Sequence, residues 1–333
     1  MHNKANSVSH PLDLSVVICS HNPRKNYLDR VLAALKAQSL PLDRWELLLV
    51  DNASKEPLSK LFDLSWHPHS HHLSAPAVGK THALLLAVQK FQGELFVIVD
   101  DDNLLRSDYL EAAVASSRTY PWLGAWAGSC IPEFESPPPP HLAPHLHGLV
   151  IESVDRPYWS NMPRGSEAHP PGAGMVVRRV VAEHWSKLVK TDPLRHRLGH
   201  TGAQIGAGED ADMALCSIPL DLGTGRIPEL QLTHLIPSRK LTEHYLLDLY
   251  RNQAYSSVLI RHLHGPEEGD LVCGFSAWLR CHASCLFWSV FAKSRISRRI
   301  RCAMLRARFR AIKDLTSKHS NPGKQHIPVR IKS

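Results

Sequence analysis

The stretch LFVIVDDDNLL, residues 95–105, decides how the rest of the chain is read. Five apolar residues, Leu95 to Val99, run directly into Asp100, Asp101 and Asp102, with Asn103 and Leu104 behind them. An apolar run of this length, ended by polar residues, reads as a buried strand. Three adjacent carboxylates at its end repel one another, and burial adds to the cost of ionising them. A solvated turn with a helix N-cap accounts for one or two acids, because Asp and Asn favour turns, but not for three. A hard divalent cation accounts for all of them, since Mg²⁺ or Mn²⁺ takes carboxylate oxygens and commonly holds substrate phosphates as well.

To either side, strand-like and helix-like segments alternate. LSVVIC (14–19) precedes helix-like YLDRVLAALKAQ (27–38), and WELLLV (45–50) ends on Asp51-Asn52. A third strand is expected within the His-rich WHPHSHHLS (66–74), then a helix over GKTHALLLAVQKF (79–91). Ser107 is placed to cap the next helix, DYLEAAVASSRTY. This alternation implies an α/β fold, a mostly parallel sheet flanked by helices, with strands apolar on both faces. Ligands of such sheets bind beyond the carboxyl ends of the strands. Three strands place polar clusters there: Ser20-His21-Asn22, Asp51-Asn52 and the three aspartates. Either of the first two alone would be ordinary turn chemistry; all three on one edge mark a site.

From Glu133 to Pro171 the periodicity fades around four consecutive prolines (137–140), which predicts a loop-rich segment lying over something. Regular structure resumes with GAGMVVRRVVAEHW (172–185) and with GEDADMALCSI (208–218), a helix that opens with acids. PELQLTHLIP (228–237) reads as a strand and LTEHYLLDLYRNQAYSSVLIRHL (241–263) as a long helix.

The net charge of +8 is unevenly spread. Residues 271–333 hold fourteen Lys+Arg against one acid, Asp314, a net of +13, leaving 25 basic and 30 acidic residues before them. The basic character therefore belongs to the tail. Seven cysteines without a CxxC pair suggest reduced thiols. MHNKANSVSHPLD lacks the apolar core of a signal peptide, and no window reaches 18 uninterrupted apolar residues.

In order along the chain, SVVICSHN, LLLVDNAS, GKTHALLLAVQKFQGELFVIVDDDN, GAGMVVRR, GEDADMAL and LQLTHLIP resemble an inverting family 2 glycosyltransferase with a GT-A fold, of the type that assembles bacterial surface polysaccharides. The resemblance covers residues 12–265, with a nucleotide-binding half to residue 130 and an acceptor half from 131, and leaves 266–333 as a basic, amphipathic helical tail. It implies that Ser20, His21 and Asn22 line the nucleotide pocket and that Asp51 accepts hydrogen bonds from the base, most often uracil in this family. Asp100 would contact the ribose and Asp102 would coordinate Mg²⁺ or Mn²⁺ bridging the diphosphate. Asp101 belongs to the same donor site without a defined contact. The family's arginine in the helix before the aspartates has no match, and Lys80 is its nearest substitute, a point charge instead of a bidentate fork. Glu209-Asp210 matches the family's Glu-Asp pair. An inverting transfer needs a carboxylate to deprotonate the acceptor hydroxyl, and the resemblance gives that part to Asp210. His234, in LTHLIP, stands where related enzymes complete the metal shell.

The expected reaction moves a sugar from a nucleotide-sugar, a UDP-sugar in the first instance, to a glycan or lipid-linked acceptor, at the cytoplasmic face of the plasma membrane. A sugar-nucleotidyltransferase would share the nucleotide-binding sheet, but it would need a Gly-rich phosphate loop, and CSHNPRKN has no glycine. A silent membrane-bound assembly factor would not need Asp102 and Asp210. The His clusters at 67–72 and 141–147 are expected in loops, with HLAPHLH able to chelate metal adventitiously. Trp159 and Trp185 are candidates for stacking on a sugar, with core packing as the alternative. SRISRRIRCAMLRARFRAIK (294–313) interleaves arginines with apolar residues, which suits an interfacial helix on anionic lipid. No nucleic-acid module accompanies it.

Overall fold

The computed structural model describes residues 12–199, 208–265 and 294–319. In chain order the elements are β1 (Leu14–Ser20), α1 (Lys25–Lys36), β2 (Trp45–Asn52), the single-turn α2 (Leu58–Leu61), β3 (Ser70–Ala75), α3 (Lys80–Lys90), β4 (Leu95–Val99), β5 (Asn103–Leu105), α4 (Tyr109–Thr119) and β6 (Leu123–Phe134). There follow β7 (Tyr158–Ser160), β8 (Val176–Arg178), α5 (Arg179–Thr191), α6 (Glu209–Leu215), β9 (Gly223–Ile236), α7 (Glu243–His264) and α8 (Arg295–His319).

The strands form one sheet in the order β3-β2-β1-β4-β8-β6-β9-β5, with β7 also on β9. The first four are parallel, Val16 lying between Leu47 and Val97. β8 runs antiparallel to both β4 and β6, so β6 and β9 point the same way as β4. The carboxyl ends of β1, β2, β4, β6 and β9 therefore share one edge, and the chain enters β8 there. Between β1 and β4 the strand order reverses, which is where doubly wound sheets open a ligand crevice.

The apolar runs are buried on both faces for the reason the sequence suggested. Val16, Ile18, Leu47, Leu49, Val97 and Val99 pack with α1 and α4. Their alternates Val17, Leu48, Val50, Phe96 and Ile98 pack with α3, α5 and α6. β3 departs from the pattern: as an edge strand it leaves His71, His72 and Ser74 exposed, which edges tolerate.

Three expectations change. The helix after the aspartates begins at Tyr109 with Asp108 in the cap position and no side-chain cap bond; the Ser107 carbonyl instead accepts from Ser39 N at 2.7 Å. The segment after Glu133 is loop-rich, yet its first residues finish the twelve-residue β6, and Tyr158–Ser160 adds a strand. The tail helix exists, but Ile296, Ile300, Ala307, Ala311 and Leu315 are buried, Ile296 and Ile300 in one cluster with Leu246 and Leu249 of α7. Its apolar stripe thus faces protein, and exposed arginines remain on the outside. The Trp/Phe/Leu-rich 271–291 lies outside the described residues. Among the described residues no helix is long and apolar enough to cross a membrane.

Candidate active site

The residues of the site gather around the sheet edge just defined, from the strand ends and from the helices and turns beside them. At the end of β1, the Ser20 hydroxyl donates to Asp101 Oδ2, across the crevice between β1 and β4. Asn22 adopts a left-handed φ of 49°, which Asn tolerates better than most residues. Its N–H donates to Ser54 Oγ (2.9 Å) and its Oδ1 accepts from Lys55 N (2.9 Å). His21 Nδ1 lies 2.7 Å from the Asn52 carbonyl. The loops after β1 and β2 are thereby stitched together. Asp51 is buried, and its two oxygens accept from Ser54 N (2.8 Å) and Leu58 N (3.1 Å).

The three aspartates have different partners. Asp100 Oδ1 accepts from Lys80 Nζ at 2.7 Å. Asp102 Oδ2 accepts from Lys240 Nζ at 2.8 Å, with His234 Nε2 3.4 Å away. Among the described residues Asp101 has the Ser20 hydroxyl as its one hydrogen-bond partner; burial, with Asp102 next to it, pushes its carboxyl up to about 6. Asp102 is likewise buried, but His234 and Lys240 outweigh that and hold it well below the usual carboxylate range. His234 reaches Asp102 because β5 pairs antiparallel with β9, setting Asn103 opposite His234. Two buried ammonium groups, not foreseen as a pair, thus balance two of the three carboxylates.

Glu209 and Asp210 open α6 but point to different surroundings. Glu209 turns inward: it is 5% exposed and 3.8 Å from Lys80. Burial raises its carboxyl to about 7 despite that lysine. Asp210 is half-buried, and its Oδ2 accepts from Gly172 N at 2.8 Å. A Cβ at Gly172 would stand 2.4 Å from that oxygen, so glycine is required for the contact. Because Gly172 precedes β8, this hydrogen bond ties Asp210 to the same sheet edge as the aspartates.

Since the fold favours protonated Glu209, its contribution to stability is complete below about pH 4.5 and is lost as pH rises through about 7. Glu209→Gln is expected to remove that loss, at most about 3 kcal/mol. The melting temperature of the variant relative to the parent should climb between these pH values, which thermal unfolding across pH would measure; a pH-independent difference would contradict it.

Other sequence candidates fall elsewhere. Trp185 is fully buried and donates to Asp212, so it packs in the core. Trp159 is 53% exposed, but it pairs with Gly225 at the start of β9, on the edge opposite the aspartates. His67 packs on Trp45 with ring centroids 4.1 Å apart. The HLAPHLH histidines are shared out among Glu243, Ser297 and Tyr250. Lys240 is the site residue the sequence reading missed; a lysine in a short turn six residues past His234 carries no local signal.

Asp212, Cys216 and His264 form a second group, with ligand atoms within 4.8 Å of one another. Arg195 already donates to Asp212 and lies 3.9 Å from Cys216 Sγ, while burial pushes the Cys216 thiol up to about 12. This is an internally paired charge cluster, with a thiol that stays protonated.

The sequence model of the family described as glycosyl transferase family 2 matches residues 15–181, half of the chain. Among solved structures, the mannosyltransferase PcManGT from Pyrobaculum calidifontis, in complex with GDP-Man and Mn²⁺, is similar with a TM-score of 0.55 at 17% identity, over 95% of this chain and 92% of that one. Residues 1–349 of TarS from S. aureus give a TM-score of 0.50 at 12% identity, over 92% of both chains. No curated protein matches the sequence. With the family matched over the sheet that carries the aspartates and the fold shared with these enzymes, the chain belongs to glycosyl transferase family 2, and it is a glycosyltransferase with the GT-A fold expected from its sequence.

Proposed function

We propose that the protein transfers a sugar from a nucleotide-sugar to an acceptor hydroxyl with inversion at the anomeric carbon. The observation that carries this reading is the meeting, on one sheet edge, of an aspartate cluster flanked by two buried lysines and a separate carboxylate, Asp210, fixed by Gly172. The first group suits the diphosphate and ribose of a donor; the second suits a base.

In this reading Ser20, His21, Asn22 and Asp51 shape the nucleoside pocket, Asp51 through the lone pairs its two backbone contacts leave over. Asp100 takes the ribose, and Lys80, beside it at 2.7 Å, offers an ammonium to the diphosphate. Asp210 accepts the acceptor's proton as its oxygen attacks. The Gly172 N–H holds the Asp210 carboxylate in one orientation for this. Glu209, behind it, sets the charge felt by Lys80.

The donor set of Asp102 and His234, a carboxylate and an imidazole nitrogen 3.4 Å apart, suits Mg²⁺ or, better, Mn²⁺. His234 Nδ1 is buried without a hydrogen-bond partner, leaving Nε2 as the nitrogen that faces the aspartate. When bound, such an ion would neutralise charge developing on the leaving diphosphate. The Mn²⁺ and GDP-Man of PcManGT support both the ion and the donor class.

The α8 surface supports a peripheral contact with anionic lipid. Arg295, Arg306, Arg308 and Arg310 are exposed, and each basic residue near such a surface contributes about 1 kcal/mol. With the apolar stripe spent on packing, this contact is electrostatic, so the chain should float with anionic liposomes at low salt and be released at high salt. Equal flotation with neutral liposomes would contradict it. For the reaction itself, release of nucleoside diphosphate from a panel of UDP- and GDP-sugars with Mn²⁺ is the test. Release from at least one donor is expected; none with any donor would overturn the assignment.

A further inference from the structure

Lys240 ends the short turn Ser238–Lys240 that follows β9. Its ammonium is 2.8 Å from Asp102 Oδ2 and 3.4 Å from His234 Nε2. His234 Nε2 stands 3.4 Å from each, facing the ammonium as a lone pair or Asp102 as a donor according to the ring tautomer. These two atoms, Asp102 Oδ2 and His234 Nε2, are also the ones a divalent ion would take. All three side chains are largely buried, Lys240 at 14%, Asp102 at 16% and His234 at 9% exposure. An ion that took the same two atoms would sit beside the ammonium, and two cations there would repel each other.

We propose that Lys240 is a resident cation of the donor site, which holds the place between Asp102 and His234 in competition with a divalent ion and binds the donor's diphosphate when no ion is present. This rests on the nucleotide-sugar reading for the diphosphate, but not for the competition. Lys80 supplies the second ammonium, on Asp100. Together they give the edge two fixed positive charges facing the position proposed for the phosphates. Divalent ions then modulate donor binding without being its sole source.

The test uses the full chain and two separate readouts. First, Mn²⁺ alone is titrated, without nucleotide, and followed by electron paramagnetic resonance. Lys240→Met is expected to bind Mn²⁺ at least tenfold tighter than the parent; equal or weaker binding by a folded variant would overturn the competition. Second, UDP and GDP are titrated in EDTA. The parent is expected to bind at least one of them, Lys240→Arg to retain binding and Lys240→Met to lose at least tenfold. Binding by the parent that needs Mn²⁺ absolutely would overturn the ammonium's part while leaving the functional reading standing. Failure of both nucleotides with and without Mn²⁺ would sink the functional reading, and the Mn²⁺ titration would still decide the competition. Should Lys240→Met not fold, the parent's EDTA titration and Lys240→Arg carry the decision.

Discussion

Asp210→Asn is expected to lower transfer about 10²–10⁴-fold, the range for losing a positioned general base, while donor affinity changes little. The amide keeps the shape of the carboxylate and can still accept from Gly172 N through its oxygen, so the site should remain built. What it loses is basicity toward the acceptor hydroxyl. Glu209 is not placed to substitute, because its side chain turns inward against Lys80. Steady-state transfer together with nucleotide titration separates the outcomes: a matching loss of donor affinity would move Asp210 into the donor site. Gly172→Ala offers a parallel check, since its methyl group would crowd Asp210 Oδ2 and should lower the turnover number more than it alters donor affinity.

Asp212→Ala should cost about 3–5 kcal/mol of stability, the penalty for removing one partner of a buried ion pair. Asp212 is 1% exposed and accepts from Trp185 Nε1 at 2.9 Å, from Arg195 and from His264 Nε2 at 2.7 Å. These partners come from α5, from the turn before α6 and from the end of α7, so one carboxylate joins three elements around the helix that begins with Glu209-Asp210. Removing it leaves the Arg195 guanidinium buried and unpaired. A fall in melting temperature of roughly 4–7 °C corresponds to such a loss in a chain of this size. Asp212→Asn, which keeps an acceptor for Trp185, should lose less. A change within 1 °C for Asp212→Ala would contradict the pairing.

The parts of the fold that could be read from the sequence are those whose burial is two-sided. β1, β2 and β4 appear as continuous apolar runs because helices cover both faces, and the polar residues that end them mark the edge where the site lies. β6 was harder to see because Gly124 and Gly128 interrupt it. A Cβ at Gly124 would stand 2.5 Å from Ser217 Oγ, and one at Gly128 only 1.8 Å from the Leu230 carbonyl oxygen, so close packing demands the glycines that mask the strand. Pairing across the sheet accounts for the remainder. The proximity of His234 to Asp102 follows from the β5–β9 register, and Lys240 enters only because β9 ends beside it. The arginine-rich helix was legible as a helix, but not the partner of its apolar stripe, because α7 lies far back in the sequence.

The site also answers the question its sequence raised. Lys80 and Lys240 each neutralise one of the three adjacent aspartates, and Asp101, raised to about 6 with Ser20 as its partner, is the least costly of them to protonate. Two of the three carboxylates on this edge are thus balanced by its own side chains.

Calorimetric titration of UDP- and GDP-sugars into the full chain and into Asp100→Ala, with Mn²⁺ present, tests whether this edge is a nucleotide-sugar site. At least one donor should bind the parent with one-to-one stoichiometry and bind Asp100→Ala at least tenfold more weakly. Absence of binding by every donor, or equal affinity in the two proteins, would contradict the account.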